Sequence, residues 1–233
     1  MNKSDISVIY YTCNKIPEYF MKNIQDQIKR AVGDTPIISV SWKPIDFGQN
    51  ICVGELEQSA YTIYKQVLIG AKAATTEYIA TAEDDVLYPR EHFEYRPQGE
   101  VFAYDLNKWS IFTWTRPPIF SYRERVNMTG LIVNREALIR TLEERFKKFP
   151  DPTKVNFAWW GEPGRFENHL RLTGLTKERV RASVPHIMFS TREAISFKHL
   201  GTRKAHSDER ATELPFWGKA SDVLRLYDKD YNN

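Results

Sequence analysis

Tyr64-Lys65-Gln66-Val67-Leu68-Ile69-Gly70-Ala71-Lys72-Ala73-Ala74-Thr75-Thr76-Glu77-Tyr78-Ile79-Ala80-Thr81-Ala82-Glu83-Asp84-Asp85 reads as a helix, a turn and a strand that ends in three carboxylates. From Ser59 to Ala73 the apolar residues Ala60, Ile63, Tyr64, Val67, Leu68, Ala71 and Ala74 recur at three- and four-residue spacing, which predicts an amphipathic helix with Ser59 as N-cap. Thr75-Thr76-Glu77 supplies the turn. Tyr78 to Ala82 is short and mostly apolar, as a buried strand should be. It runs directly into Glu83-Asp84-Asp85 and then Val86-Leu87-Tyr88-Pro89. Adjacent carboxylates repel one another and gain nothing from burial. A hard divalent cation such as Mg²⁺ or Mn²⁺, which takes oxygen ligands and shares them with phosphate, is the usual reason to place them at a strand end. A solvated acidic turn is the alternative. The preceding helix favours the cation, because α/β sheets carry their ligand sites at the carboxyl ends of strands.

Other strand and helix patterns flank this unit, without internal repeats. Residues 5–12 read as a strand, Glu18 to Ala31 as a helix with Phe20, Ile24, Ile28 and Ala31 inward, Gly33-Asp34-Thr35-Pro36 as a stop, and Ile37 to Trp42 as a second strand. Residues 43–50 read as a loop. Further on, residues 93–104 look irregular before a short strand, Ser110 to Trp114 alternates as a strand, and Met128 to Asn134 runs as a strand into a helix over Arg135–Phe149. Asn156 to Gly174 is aromatic-rich and its second part is expected to be helical. Ile187 to Ser190 and Ile195 to Phe197 are late strands, and 206–233 is a C-terminal polar segment with one apolar patch at Leu214-Pro215-Phe216-Trp217.

Residues 64–85 resemble the core of the GT-A glycosyltransferases, in particular the family-2-like members. Lys65, Gln66, Gly70 and Glu83-Asp84-Asp85 match that group's order of a basic residue, an amide, a glycine four residues later and an Asp-x-Asp-type metal motif. Ile6-Ser7-Val8-Ile9-Tyr10-Tyr11-Thr12 resembles its first strand, whose end touches the nucleotide. The likeness covers residues 5–95 well, 96–200 loosely, and fades beyond. It implies an α/β fold, a GT-A (Rossmann-like) mixed sheet flanked by helices over 1–205, with a donor half over about 1–95 and an acceptor half over about 96–205. It also implies a nucleoside-diphosphate sugar as co-substrate, here a UDP-sugar.

The resemblance assigns roles residue by residue. Asp85, the last acid of the motif, is the first choice for metal contact, and Glu83 and Asp84 face the ribose or the metal. Lys65 would reach the phosphates or else be a plain exposed helix lysine. Tyr10 and Thr12 would meet the base, or be ordinary residues at a strand end. Asp46, in the loop after the second strand, is a ribose or base contact or an Asx-turn residue. His199, beside Gly201 and three cations, would complete the metal shell; His206 is second choice, and His186 after Pro185 reads as structural. Inverting members place their base in an acidic pair after an aromatic loop. Here that pair reads Glu167-Asn168, so the base is Glu167, or Glu162 in the loop before it, unless the reaction retains configuration. Trp159 and Trp160 are a sugar-stacking wall or core.

Composition sets further bounds. A chain of 233 residues with 42% apolar residues can bury one sizeable core. Cys13 and Cys52 have no metal or disulfide spacing, no apolar run approaches a membrane span, and no signal-peptide core follows Met1, so a cytoplasmic location is expected, in the host cytoplasm if the chain is phage-encoded. The formal charge of +3 is uneven, with 18 Lys and Arg against 9 Asp and Glu over residues 116–204. A basic surface with interleaved aromatics is the footprint of a nucleic-acid substrate. The chain also resembles small phage-encoded GT-A enzymes, some of which modify hydroxymethylated bases, so DNA is one expected acceptor. A polysaccharide or lipid-linked sugar is the alternative acceptor. A nucleotide-sugar-binding module without catalysis is the alternative of another class. A nucleotidyltransferase is disfavoured because Tyr10-Tyr11-Thr12-Cys13-Asn14 has no glycine.

Overall fold

A computed structural model describes residues 4–154, 160–193 and 209–231. Four adjacent strands of the main sheet run parallel to one another: β1 (Ile6–Thr12), β2 (Ile37–Ser41), β3 (Gln49–Cys52) and β4 (Tyr78–Glu83). Three more complete it: β6 (Phe102–Asp105), β9 (Leu131–Asn134) and β10 (Lys177–Val180). The order across the sheet is β10-β6-β9-β4-β1-β2-β3, with β9 antiparallel to both neighbours. A second, five-stranded sheet has the order β12-β8-β7-β11-β5, from β5 (Val86–Leu87), β7 (Lys108–Phe112), β8 (Phe120–Tyr122), β11 (His186–Ser190) and β12 (Glu209–Ala211). The mixed α/β sheet flanked by helices that the sequence led us to expect is therefore present.

The central strand explains the layering. β1 is buried along its whole length between β2 and β4, so it needs apolar groups on both faces. Its side chains alternate. Ile6, Val8 and Tyr10 pack with Phe20, Ile24 and Ile28 of α1 (Glu18–Val32), and Ile9 and Tyr11 pack with Tyr64, Val67 and Ala71 of α2 (Ala60–Ala73). Ser59 caps α2 as expected, its hydroxyl accepting from the Thr62 N–H at 3.2 Å. Gly70 is required by contact: a Cβ there would stand 2.5 Å from Ile9 Cγ2, so any side chain would push α2 off the sheet.

Two expectations change. Gln49 and Asn50, the end of the loop expected over 43–50, open an edge strand, Gln49–Cys52. Residues 160–174 form successive turns and no helix. Within the C-terminal polar segment, β12 pairs with β8, and Leu214, Ala220, Val223 and Leu224 join the α1-side core, the last three from α5 (Ala220–Leu224). Short α3 (Arg90–Glu94) and longer α4 (Arg135–Lys148) complete the helices used below.

Candidate active site

The end of β4 is where the two sheets meet. Glu83 closes the strand, Asp84 and Asp85 turn the chain, and Val86 opens β5 in the second sheet. Glu83 stands beside Tyr11 in the parallel register, so both point to the α2 face. The Tyr11 hydroxyl donates to Glu83 Oε1 at 2.7 Å, and Thr129 Oγ1 donates to the same oxygen at 2.8 Å. Asp84, one residue on, points the other way and accepts from Thr12 Oγ1. Thr12 is itself fixed, its hydroxyl accepting from the Asn14 N–H at 2.8 Å. The Asp85 carbonyl accepts from the Phe189 N–H at 2.8 Å, which ties the acidic turn to β11. Hydroxyls thus orient Glu83 and Asp84 without neutralising them.

These three acids line a cavity of about 470 Å³, a size that suits a small ligand. Tyr11, Thr12 and Cys13 come from the end of β1, and Trp42 from just beyond β2. The start of α2 adds Ser59, Thr62, Ile63, Tyr64 and Gln66. Asn127 to Thr129, Glu162 and Met188 to Ser190 form the opposite wall. Gln66 is a brace: its Nε2 donates to the Thr12 and Val40 carbonyls at 3.0 and 2.9 Å, tying α2 to two strand ends. Burial pushes the Asp84 carboxyl up to about 7, with the Glu83 charge adding to the rise and the Thr12 hydroxyl opposing it. Burial likewise raises the Cys13 thiol to about 11, so it is protonated at neutral pH.

The donor set fits a divalent cation. Three carboxylates at one strand end, half-buried and facing a cavity, are hard oxygen ligands in excess of local positive charge.

The structure sorts the expected residues. Thr12, Glu83, Asp84, Asp85 and Glu162 share the cavity. Tyr10 does not: it is fully buried on the α1 side against Phe47, and Tyr11, facing α2, takes its place. Lys65 is exposed with its ammonium 4.8 Å from the Tyr61 ring, off the cavity wall, while its neighbours Tyr64 and Gln66 face inward. Asp46 is exposed and lines a separate groove with Asn14, Glu18, Lys22 and Lys43. Glu167 is 2% exposed, and its carboxylate forms a buried ion pair with Arg145 of α4, away from the cavity. That is a structural position, not one for a base. Trp160 is likewise core, stacked on Tyr61 at 5.4 Å. His199, His206, Trp159 and the strand over 195–197 lie outside the described residues. Sequence reasoning missed Tyr11, Thr129 and Trp42. Gly70 was a usable signal for Tyr11, because it marks the face of β1 on which α2 lies.

Among the described residues, several cations of the basic half are in ion pairs. Arg116 bonds Asp228, Arg165 lies 3.4 Å from Glu162, and Arg179 and Arg181 share Glu124. Exposed pairs of this kind are worth about 0–1 kcal/mol, so a phosphate can displace them. Among the described residues, no helix is long and apolar enough to cross a membrane.

No protein-family model and no curated protein matches the chain. Among solved structures it is similar to a glycosyltransferase involved in glycosylation of the major capsid of PBCV-1, with 12% identity over 78% of this chain and 92% of that one, at a TM-score of 0.41. It is similar to S. aureus TarS 1–349 in complex with UDP-GlcNAc, at 10% identity, 79% and 58% coverage and a TM-score of 0.42. It is also similar to the bifunctional IspDF of Campylobacter jejuni, at 10% identity, 77% and 50% coverage and a TM-score of 0.42. The chain thus spans about half of the IspDF chain, and likeness at this level carries no assignment of activity.

Proposed function

We propose that this chain is a glycosyltransferase that moves a sugar from a nucleoside-diphosphate sugar, a UDP-sugar in the first instance, to an acceptor hydroxyl. The observation that carries this reading is the set of three carboxylates at the end of β4, two of them oriented by hydroxyls, on the wall of a ligand-sized cavity. Asp85 and Asp84 would hold Mn²⁺ or Mg²⁺, with Glu83 beside them. The bound cation supplies charge stabilisation for the departing diphosphate. Residues 1–95 supply the donor wall, where Trp42 and Tyr11 offer aromatic surface for a base. Residues 96–205 supply the acceptor wall.

Glu162 is the base in this reading, as the expected carboxylate that remains on the cavity wall. It takes the acceptor proton as the acceptor oxygen bonds to the anomeric carbon. The bond from that carbon to the diphosphate oxygen breaks, and its electron pair leaves with the nucleoside diphosphate. The charge excess over residues 116–204 makes hydroxymethylated DNA the first acceptor to try. Activity on duplex DNA that ignores salt would remove that acceptor without touching the donor assignment.

Calorimetry tests the donor reading. UDP should bind with Mn²⁺ and fail to bind without it, GDP and CDP should bind less well, and Asp85→Ala should lose UDP at least about 100-fold while melting as the wild type does. Metal-independent binding, or full binding by Asp85→Ala, would overturn the site.

A further inference from the structure

Behind the acidic turn lies a second group of polar side chains that the proposed reaction does not use. His92 comes from α3, Asp105 from the end of β6, and His186 from the start of β11. They are 1%, 2% and 0% exposed. One ligand-capable atom from each lies within 4.8 Å of the others. Asp105 Oδ2 is already 3.5 Å from His186 Nε2, and the two imidazole rings are 4.6 Å apart, edge to face.

Both nitrogens of both histidines lack a hydrogen-bond partner. The Thr81 carbonyl faces His92 but outside hydrogen-bonding geometry. Leaving buried polar atoms unpaired is costly, and native interiors rarely hold four such atoms together. Asp105 is by contrast oriented from behind. Its Oδ1 accepts from the Asn107 N–H at 2.8 Å, and both its oxygens lie 3.3–3.4 Å from the Ala182 N–H. A carboxylate fixed by backbone donors and aimed at two unpartnered imidazoles is the arrangement of ligands with a supporting shell. Lys108 Nζ is the nearby cation. It is buried and has no hydrogen-bond acceptor, and with Arg181 it acts on the Asp105 carboxylate through space, without contacting it directly.

We propose that His92, Asp105 and His186 bind a structural Zn²⁺ ion, distinct from the cation of the cavity. Two nitrogens and one oxygen suit zinc, and bonds of about 2.0–2.2 Å place tetrahedral ligand atoms about 3.3 Å apart. Binding would draw the three ligand atoms in from their present spacing to that value. Hard cations such as Mg²⁺ prefer all-oxygen shells and belong at the acidic turn. The ion also bears on the cavity. The Tyr88 ring packs on both His92 and His186, at 5.3 and 5.2 Å, and its hydroxyl accepts the Glu83 N–H at 2.9 Å.

The test is elemental analysis of the full chain, purified with zinc and dialysed, followed by replacement with Co²⁺. We expect one tightly held zinc per chain, and the strong visible absorption of tetrahedral Co²⁺. His92→Gln and His186→Gln should each lose that equivalent, and Asp85→Asn should keep it. If either histidine variant does not fold, the wild-type Co²⁺ spectrum decides by itself. No retained zinc together with a weak octahedral spectrum would overturn the proposal and leave a hydrogen-bonded cluster with buried water. Loss of the zinc in Asp85→Asn would also overturn it, by placing the ion in the cavity. None of these readouts depends on glycosyl transfer.

Discussion

Glu83 and Glu167 are chemically the same group in two different settings. Glu83 is half-buried on a cavity wall and is held by the hydroxyls of Tyr11 and Thr129, which fix its direction and leave its charge available. Glu167 is enclosed and paired with Arg145, whose guanidinium also donates to the Gly161 carbonyl at 2.7 Å and stacks 5.4 Å from Trp160. In the first case the fold leaves a carboxylate facing the cavity. In the second it uses a charge to hold together a loop that has no regular hydrogen-bond ladder. The lesson is that a carboxylate's enclosure, more than its neighbourhood in sequence, separates the two: Glu162, five residues from Glu167 and itself 3.4 Å from Arg165, is on the cavity.

Substitutions can break this comparison. The largest effect is expected at Glu162, where Glu162→Gln should lower kcat by about 100- to 10,000-fold and leave the melting temperature alone. An unchanged kcat in steady-state assays would remove Glu162 as base. Glu167→Gln should show the reverse. It leaves the Arg145 charge buried without its counter-charge, and should cost about 3–5 kcal/mol in urea unfolding, with the residual folded enzyme still turning over. A stable but inactive Glu167→Gln would return the base to that position. Tyr11→Phe sharpens the other side, removing one of two donors to Glu83 and weakening Mn²⁺-dependent UDP binding by about 10-fold, read by calorimetry.

The smallest effect concerns pH. The Asp84 carboxyl sits near 7 in the folded chain and near 3.8 when unfolded. Between those values the folded state holds the extra proton, so this group's contribution favours folding at acid pH and is lost as pH rises through about 7. Asp84→Asn should therefore raise the melting temperature of the ligand-free protein at pH 8 and do little at pH 4. Because Asp84 is only half-buried, the gain should be about 1 kcal/mol, or roughly 2–4 °C. Equal melting at both pH values would show that the carboxyl is not held protonated.

The regular parts of the fold were legible because periodicity reports burial. β1, α1, β2, α2 and β4 each carry an apolar pattern that their buried faces require. β3 was not, because Gln49-Asn50-Ile51-Cys52 is a half-exposed edge strand whose pairing with β2 needs no apolar pattern. The second part of 156–174 reads as a helix in sequence. Pro163, Gly164 at φ +78° and the inward pull of Glu167 by Arg145 instead make turns. In the site, the acids were evident from their order alone. Tyr10 against Tyr11 and Lys65 against Gln66 turned on which side faces inward, and one residue of register reverses that. The grouping of His92, Asp105 and His186 had no signal in sequence, since three distant elements bring it together.

The late segment over 209–231 has a bearing on how the chain reaches this state. Phe20, near the beginning, completes its packing against Phe189 and Tyr227, and the Asn23 side chain donates to the Leu226 carbonyl. During synthesis on the ribosome the part of the α1 side around Phe20 therefore stays uncovered until those later elements emerge. Closure over such sequence distances is slow. The exposed apolar face would be the part of the nascent chain that most needs shielding by chaperones.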